Sequence, residues 1–297
     1  MKMRRTGFGA ALAVAVLTLA ACGGSDDGGS STTEASVADA PTFEAGTTMA
    51  TLADAGSITI GTKFDQPGFG LKGLDGNPEG FDVEIGKIIA GQLGISPENI
   101  TWVETPSKVR EQVIQNDEVD MVVATYTIND NRKELVSFAG PYYVAGQQLM
   151  VAKDNSTITS PDDLKANPDQ KVCSVAGSTP AENIKQYLAE DSQLVTFDVY
   201  DKCADALKTG QVQVVTTDNV ILLGFVSKSP DDFKLVGEQF TEEPYGIGIK
   251  KGDVAFCEFI NTTLQENPDA YEAAWTSTAG AVEGTETPTL PEPDACS

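Results

Sequence analysis

An α/β fold is what this chain predicts, and two observations carry the prediction. Apolar runs of strand length alternate with helical patterns from Ser57 to Trp275, the βαβ rhythm that builds a parallel sheet with helices on its faces. At 297 residues and 40% hydrophobic content, the chain has apolar material for two lobes of ordinary domain size. Composition also excludes function classes. With 44 acidic and 20 basic residues the formal charge is −24, so nucleic acid is not an expected partner, because gripping a phosphate backbone requires basic surface. The chain has no histidine and no Cys-x-x-Cys pair, so neither a metal site nor a cofactor is expected.

The first residues form a targeting segment. Basic Lys2, Arg4 and Arg5 precede an apolar run, Phe8 to Ala21, that is too short for a comfortable membrane span. The run ends in Leu19-Ala20-Ala21-Cys22, which resembles the bacterial lipobox. That resemblance implies a lipoprotein signal peptide over 1–21 and a lipidated Cys22 that anchors the protein at the outer face of the cytoplasmic membrane. An ordinary secretory signal with an incidental cysteine is the alternative. Loss of the three leader charges takes the formal charge to −27. Residues 22–50 are expected to be a flexible tether, since Gly23 to Gly46 is rich in Gly, Ser, Thr and Asp. Four cysteines remain, which in an exported protein predicts two disulfides. Three pairings are possible. Position favours Cys173–Cys203 within one lobe and Cys257–Cys296, which would pin a Pro- and Glu-rich tail.

Taken in order, Ser57 to Thr62 alternates as a short strand and leads into a Gly/Pro-rich loop, Lys63 to Gly80, containing Lys63-Phe64-Asp65-Gln66-Pro67-Gly68. Asp82 is placed to cap a helix whose apolar face is Val83, Ile88, Ile89 and Leu93, ended by Gly94. A strand over Ile100 to Val103 follows. Thr105-Pro106 then predicts a helix start, with Arg110 on that helix and Val109, Val113 and Ile114 facing inward. The apolar run Val119 to Ala124 reads as a buried strand that opens into hydroxyls at Thr125, Tyr126 and Thr127. Asn129 caps a helical turn carrying Arg132. A strand end, two threonine hydroxyls and a guanidinium thus converge, which suits a carboxylate, because arginine offers a planar fork of donors at the place where α/β sheets bind ligands. A solvated surface arginine is the alternative reading.

Gln147 to Ala152 predicts a strand crossing into a second lobe, and Ser160-Pro161-Asp162-Asp163 opens a helix. The strand Lys171 to Ala176 ends in Gly177-Ser178-Thr179-Pro180, where Thr179 and Glu182 suit a capping box and Pro180 the first helical position. Free amides at such a turn suit an anion. Leu194 to Phe197, a helix from Asp201 to Lys208 and a strand from Val212 to Thr216 continue the rhythm and bring Thr217 and Asp218 to a strand end. Asp218 can equally cap the helix beginning at Asn219. Tyr245 to Lys250 returns to the first lobe, Asp253 to Leu264 is amphipathic, and a last helix runs through Trp275. From Thr276 onward only a disulfide is expected to restrain the chain.

Thr125-x-Thr127, four residues, Arg132, the Val136-Ser137-Phe138 strand and Pro141-Tyr142-Tyr143 follow one another as in a known family. With Gly80-Phe81-Asp82-Val83-Glu84 upstream, they resemble the type II solute-binding proteins of polar amino-acid ABC transporters, from about Ser57 to Tyr271. The resemblance implies two lobes with mostly parallel central sheets joined by two crossover strands: lobe one over 51–146 and 242–297, lobe two over 147–241. It implies that Arg132 holds a ligand α-carboxylate, assisted by Thr125 and Thr127 and, from lobe two, by Ser178 and Thr179, while Asp218 pairs with the α-ammonium. Arg110, 22 residues before Arg132, and Lys63, six before Phe69, match basic residues that hold the side-chain carboxylate in glutamate- and aspartate-binding members. General amino-acid binders keep an aromatic residue near Gln66, and this chain does not. The implied protein is a monomeric, lipid-anchored binding component of an ABC importer, delivering L-glutamate or L-aspartate to a permease and its ATPase. A glutamine or asparagine binder and an amino-acid sensor are the alternatives, with an enzyme on the same architecture third, lacking a nucleophile elbow.

Overall fold

In the computed structural model, which describes residues 36–297, two five-stranded sheets face one another across a cleft. The expected signal peptide, Cys22 and the first part of the expected tether lie outside the described residues. The first lobe begins with helix α1 (Thr48–Ala55), strand β1 (Ile58–Thr62) and a small antiparallel sheet of β2 (Asp65–Gln66), β3 (Gly70–Lys72) and β4 (Pro78–Glu79). It continues through α2 (Phe81–Gln92), β5 (Ile100–Glu104), α3 (Arg110–Gln115), β6 (Met121–Val122), α4 (Asp130–Lys133) and β7 (Ser137–Ala145). The second lobe holds β8 (Gln147–Ala152), α5 (Asp163–Ala166), β9 (Val172–Val175), α6 (Thr179–Asn183), β10 (Leu194–Phe197), α7 (Tyr200–Lys208), β11 (Val214–Asp218), α8 (Asn219–Lys228) and β12 (Phe233–Val236). The chain returns through β13 (Glu243–Ile249), α9 (Val254–Glu266) and α10 (Pro268–Ser277).

The sheets run β5-β1-β6-β13-β7 and β10-β9-β11-β8-β12. Each is mixed where the sequence suggested mostly parallel pairing. β5, β1 and β6 are parallel, as are β10, β9 and β11, whereas β13 and β8 run against both of their neighbours. The reason is the path of the chain. Parallel strands aim their carboxyl ends at the cleft, so a strand that arrives from the cleft must run the other way. Gln147, the first residue of β8, accordingly stands opposite Asp218, the last residue of β11.

Several element boundaries differ from those the sequence suggested. Residues 36–50, given to the tether by composition, lie on the first lobe: Ala38 N–H donates to the Gly91 carbonyl at 2.8 Å, and Phe43 packs edge-on against Phe259. Thr47 caps α1. Thr105-Pro106 does not begin a helix; α3 starts at Arg110, five residues after Thr105. The tail is tied down by more than its disulfide. Asp294 N–H donates to Gly140 O at 2.7 Å and Ser137 Oγ donates to Ser297 O at 2.6 Å, so the tail covers β7, the edge strand of its sheet.

Both disulfides form as position suggested, Cys173–Cys203 between β9 and α7 and Cys257–Cys296 between α9 and the tail. The first lobe's core is aromatic: Phe69, Phe81, Tyr142, Tyr143, Tyr245 and Trp275 are buried together, with Tyr143 stacked on Trp275 at 5.1 Å. Removing the tail's anchor with Cys257→Ala and Cys296→Ala releases a 39-residue loop constraint. It should lower stability by about 2–4 kcal/mol. Urea unfolding checks this, and an unchanged midpoint would contradict it.

Candidate functional site

The carboxyl ends of β1, β6, β9 and β11 converge on one small cavity with about 10 Å³ of water-accessible space. Gln66, Ser107, Arg110, Thr125 and Thr127 line it from the first lobe; Ser178, Thr179, Pro180, Tyr200, Thr217, Asp218 and Ile221 line it from the second.

Its floor is built around a strained residue. Thr125 has φ +45°, a left-handed conformation that a β-branched side chain resists. Four contacts impose it. Asp82 Oδ2 accepts the Thr125 N–H at 2.8 Å, and Thr125 Oγ1 donates to Gln66 Oε1 at 3.0 Å. Arg110 Nη1 donates to the carbonyls of Ala124 and Thr125 at 2.8 and 3.3 Å. Asp82 is therefore a brace for the site and does not cap α2, as the sequence suggested. Gly80 takes the cap position at φ +132°, where a Cβ would meet the Phe69 carbonyl at 2.3 Å. The second oxygen of Asp82 accepts from Tyr142 OH at 2.6 Å.

Six of the eight residues singled out from sequence line the cavity: Arg110, Thr125, Thr127, Ser178, Thr179 and Asp218. Arg132 and Lys63 stand behind that lining. Arg132 is engaged at every nitrogen: Nε pairs with Glu111 Oε1 at 3.2 Å, Nη1 donates to Thr127 O at 2.7 Å, and Nη2 reaches across the cleft to Gly177 O at 3.1 Å. Lys63 Nζ donates to Ser107 Oγ at 2.9 Å. Tyr126 lies under both guanidiniums, at 4.1 Å from Arg110 and 5.0 Å from Arg132. These bonds sort the site into two cationic groups, Arg132 with Thr127 and the Gly177-Ser178 turn, and Arg110 with Lys63, Ser107, Gln66 and Thr125.

Asp218 supplies the opposite charge. It precedes α8, but its side chain makes no cap bond; Oδ2 accepts from Tyr245 OH at 2.6 Å and Oδ1 is buried without a partner among the described residues. The hydroxyls of Thr179, Thr217 and Tyr200 and the Arg110 Nε are buried and unpartnered as well. At the turn before α6, Ser178 accepts the Ala181 N–H at 3.1 Å, which replaces the expected Thr179–Glu182 box and leaves the Thr179 hydroxyl free. Sequence reasoning passed over Ser107, Tyr200 and Thr217 as cavity-lining groups. Thr217 stood beside Asp218 and could have been found, whereas nothing in the local pattern marks Tyr200.

The sequence model of the bacterial extracellular solute-binding proteins, family 3, matches residues 58–274. The chain belongs to that family. It is 39% identical over 272 residues to the glutamate-binding protein GluB of Corynebacterium efficiens, covering 88% of this chain and 85% of that one. It is 38% identical over 253 residues to the ABC transporter glutamine-binding protein GlnH of Bacillus subtilis, covering 85% and 88%. An ancestral arginine-binding protein bound to glutamine superposes with a TM-score of 0.69 at 34% identity, over 75% of this chain and 97% of its own. The two-lobed fold of this family 3 protein is thus the type II periplasmic-binding-protein fold. Among the described residues, no helix is long and apolar enough to cross a membrane.

The buried charges of the site titrate abnormally. Burial pushes Asp82 up to about 7, against the pull of its Tyr142 and Thr125 hydrogen bonds. Burial, then the neighbouring Glu243, lifts Asp218 above the carboxylate range. Burial, then the Arg110 guanidinium, brings Lys63 down to about 7. Acids raised in the folded state bind protons that the unfolded chain has already released, so their contribution is present at low pH and lost as pH climbs from about 4 to 7. A lysine lowered in the folded state acts above 7, where the unfolded chain holds the extra proton and stability rises with pH. The unliganded protein should therefore show a stability minimum near neutrality. Urea unfolding across that range checks it, and a broad maximum there would contradict the burial of these charges.

Proposed function

We propose that this family 3 protein is the lipid-anchored, monomeric solute-binding component of an ABC importer and captures an acidic amino acid, with L-glutamate the first candidate and L-aspartate the second. The carrying observation is the unpartnered, buried Asp218 oxygen facing a cavity that Arg110 also lines, with Lys63 and Arg132 immediately behind. A solute with one ammonium and two carboxylates complements that set, and desolvated charges are tolerable only when paired.

In this reading Asp218, with Thr217, takes the α-ammonium. Arg132, with Thr125, Thr127, Ser178 and Thr179, takes the α-carboxylate, which replaces the Gly177 carbonyl as acceptor of Nη2 because a charged acceptor makes the stronger bond. Arg110, with Lys63 and Ser107, takes the side-chain carboxylate. Lobe one, 51–146 and 242–297, closes on lobe two, 147–241, and the closed pair is presented to a permease and its ATPase. Cys22 carries the lipid that holds the protein at the outer face of the cytoplasmic membrane. The glutamate assignment is supported by the GluB relative at 39% identity, and the amide alternative by the GlnH relative at 38%.

A thermal-shift panel of the twenty amino acids at equal concentration separates the two. Glutamate should give the largest rise, since a ligand at about 1,000 times its Kd adds about 4 kcal/mol to the folded state. A larger rise with glutamine would favour the amide reading. Lys63→Met sharpens the test, because it removes a buried cation from the empty site. The variant should be more stable than wild type without ligand, yet bind glutamate at least about tenfold more weakly while glutamine affinity hardly changes. Equal losses for both amino acids would contradict the side-chain role.

A further inference from the structure

The loop between β1 and β3 makes contacts across the cleft that solute binding does not require. Asp65 belongs to β2 of the first lobe, yet its Oδ2 accepts the backbone N–H of Tyr200 at 2.6 Å, and Asp65 is buried. Tyr200 begins α7 of the second lobe, and the preceding residue, Val199, offers no side-chain cap. Asp65 thus supplies from the other lobe the side-chain cap that this helix terminus lacks. Two residues on, Pro67 rests against α8. A Cβ on Gly224 would lie 2.5 Å from the Pro67 carbonyl oxygen and 3.1 Å from its Cβ, so only glycine admits the approach. Gln66, between them, lines the cavity. Tyr200, whose N–H is capped, turns its unpartnered hydroxyl to that cavity.

The geometry points to Asp65–Pro67 as the clasp of lobe closure, in which Asp65 and Pro67 are positioning residues that lock α7 and α8 onto the first lobe and seat Tyr200 against the bound solute. The clasp rests on the proposed function only in needing an amino acid as its readout. Its contacts exist only when the lobes are closed, so they hold the closed arrangement and set the rate at which a complex reopens, and leave the rate of encounter alone.

Stopped-flow intrinsic fluorescence with L-glutamate and, separately, L-glutamine tests this on wild type, Asp65→Ala, Asp65→Asn and Gly224→Ala. Loss of a helix cap should speed dissociation roughly 2- to 30-fold in Asp65→Ala with the association rate unchanged. Asp65→Asn keeps an acceptor oxygen and should restore most of the residence time. Gly224→Ala should also speed dissociation, although alanine favours a helix over glycine and should leave the unliganded unfolding midpoint unchanged or higher. Wild-type dissociation rates in both alanine variants, or an association rate that falls in step with them, would overturn the clasp. If wild type binds neither amino acid, the functional reading fails and small-angle scattering judges the clasp alone. A larger radius of gyration in both alanine variants than in wild type would support it, and identical radii would overturn it.

Discussion

Charge removed from water without complete pairing is the constraint on which the rest of this molecule depends. Lys63, Asp82, Arg110, Arg132, Asp218 and Glu243 are all buried around one cleft. Desolvating each costs several kcal/mol unless partners replace the lost water. The protein supplies those partners sparingly. Arg132 and Arg110 are satisfied largely by backbone carbonyls and the face of Tyr126, Lys63 by one hydroxyl, and Asp218 by one phenol. Tyr245 and Tyr142 each commit a buried hydroxyl to a carboxylate, which fixes the acids without neutralising them.

Such a site needs a stiff frame, because unpaired buried charges would otherwise draw in water or collapse on each other. The frame is the set of parallel strand ends, aimed from two sheets at one point, and the aromatic core behind β2 and α2. The left-handed Thr125 shows how far the frame is pre-set. Asp82, Gln66 and Arg110 come from three elements of the chain, and together they hold a conformation that the residue would not adopt alone. Strain of this kind persists only where the surroundings over-determine it, which is why the Gly-Phe-Asp turn stands far from the cavity in sequence and directly beneath it in space.

Much of this was legible in the sequence, for reasons that are local. Strand ends that finish in hydroxyls, the Asn129 cap before Arg132 and the alternation of strand and helix depend on neighbours within a few residues, and both disulfides followed from position. What sequence could not supply was partnership at a distance. Arg132 appeared free to meet a ligand because Glu111, Thr127 and Gly177 were invisible as its partners, and Asp82 looked like a helix cap because Thr125 lies 43 residues away. The mixed sheets arise from the direction in which the chain crosses the cleft, a global property that a strand-by-strand pattern does not encode. Phe43 and the tail were assigned to loose chain by composition, yet Phe259 and the edge of β7 give each a place to pack.

In the function proposed above, specificity rests on sign and position: anions to the two guanidinium groups and the lysine, a cation to Asp218. Calorimetric titration with L-glutamate and with 2-oxoglutarate, which keeps both carboxylates and lacks the ammonium, isolates the second half of that statement. Glutamate should bind, and the oxo acid should bind at least about 100-fold more weakly, because Asp218 would be left buried without its counter-charge. Equal affinity for the two would contradict it.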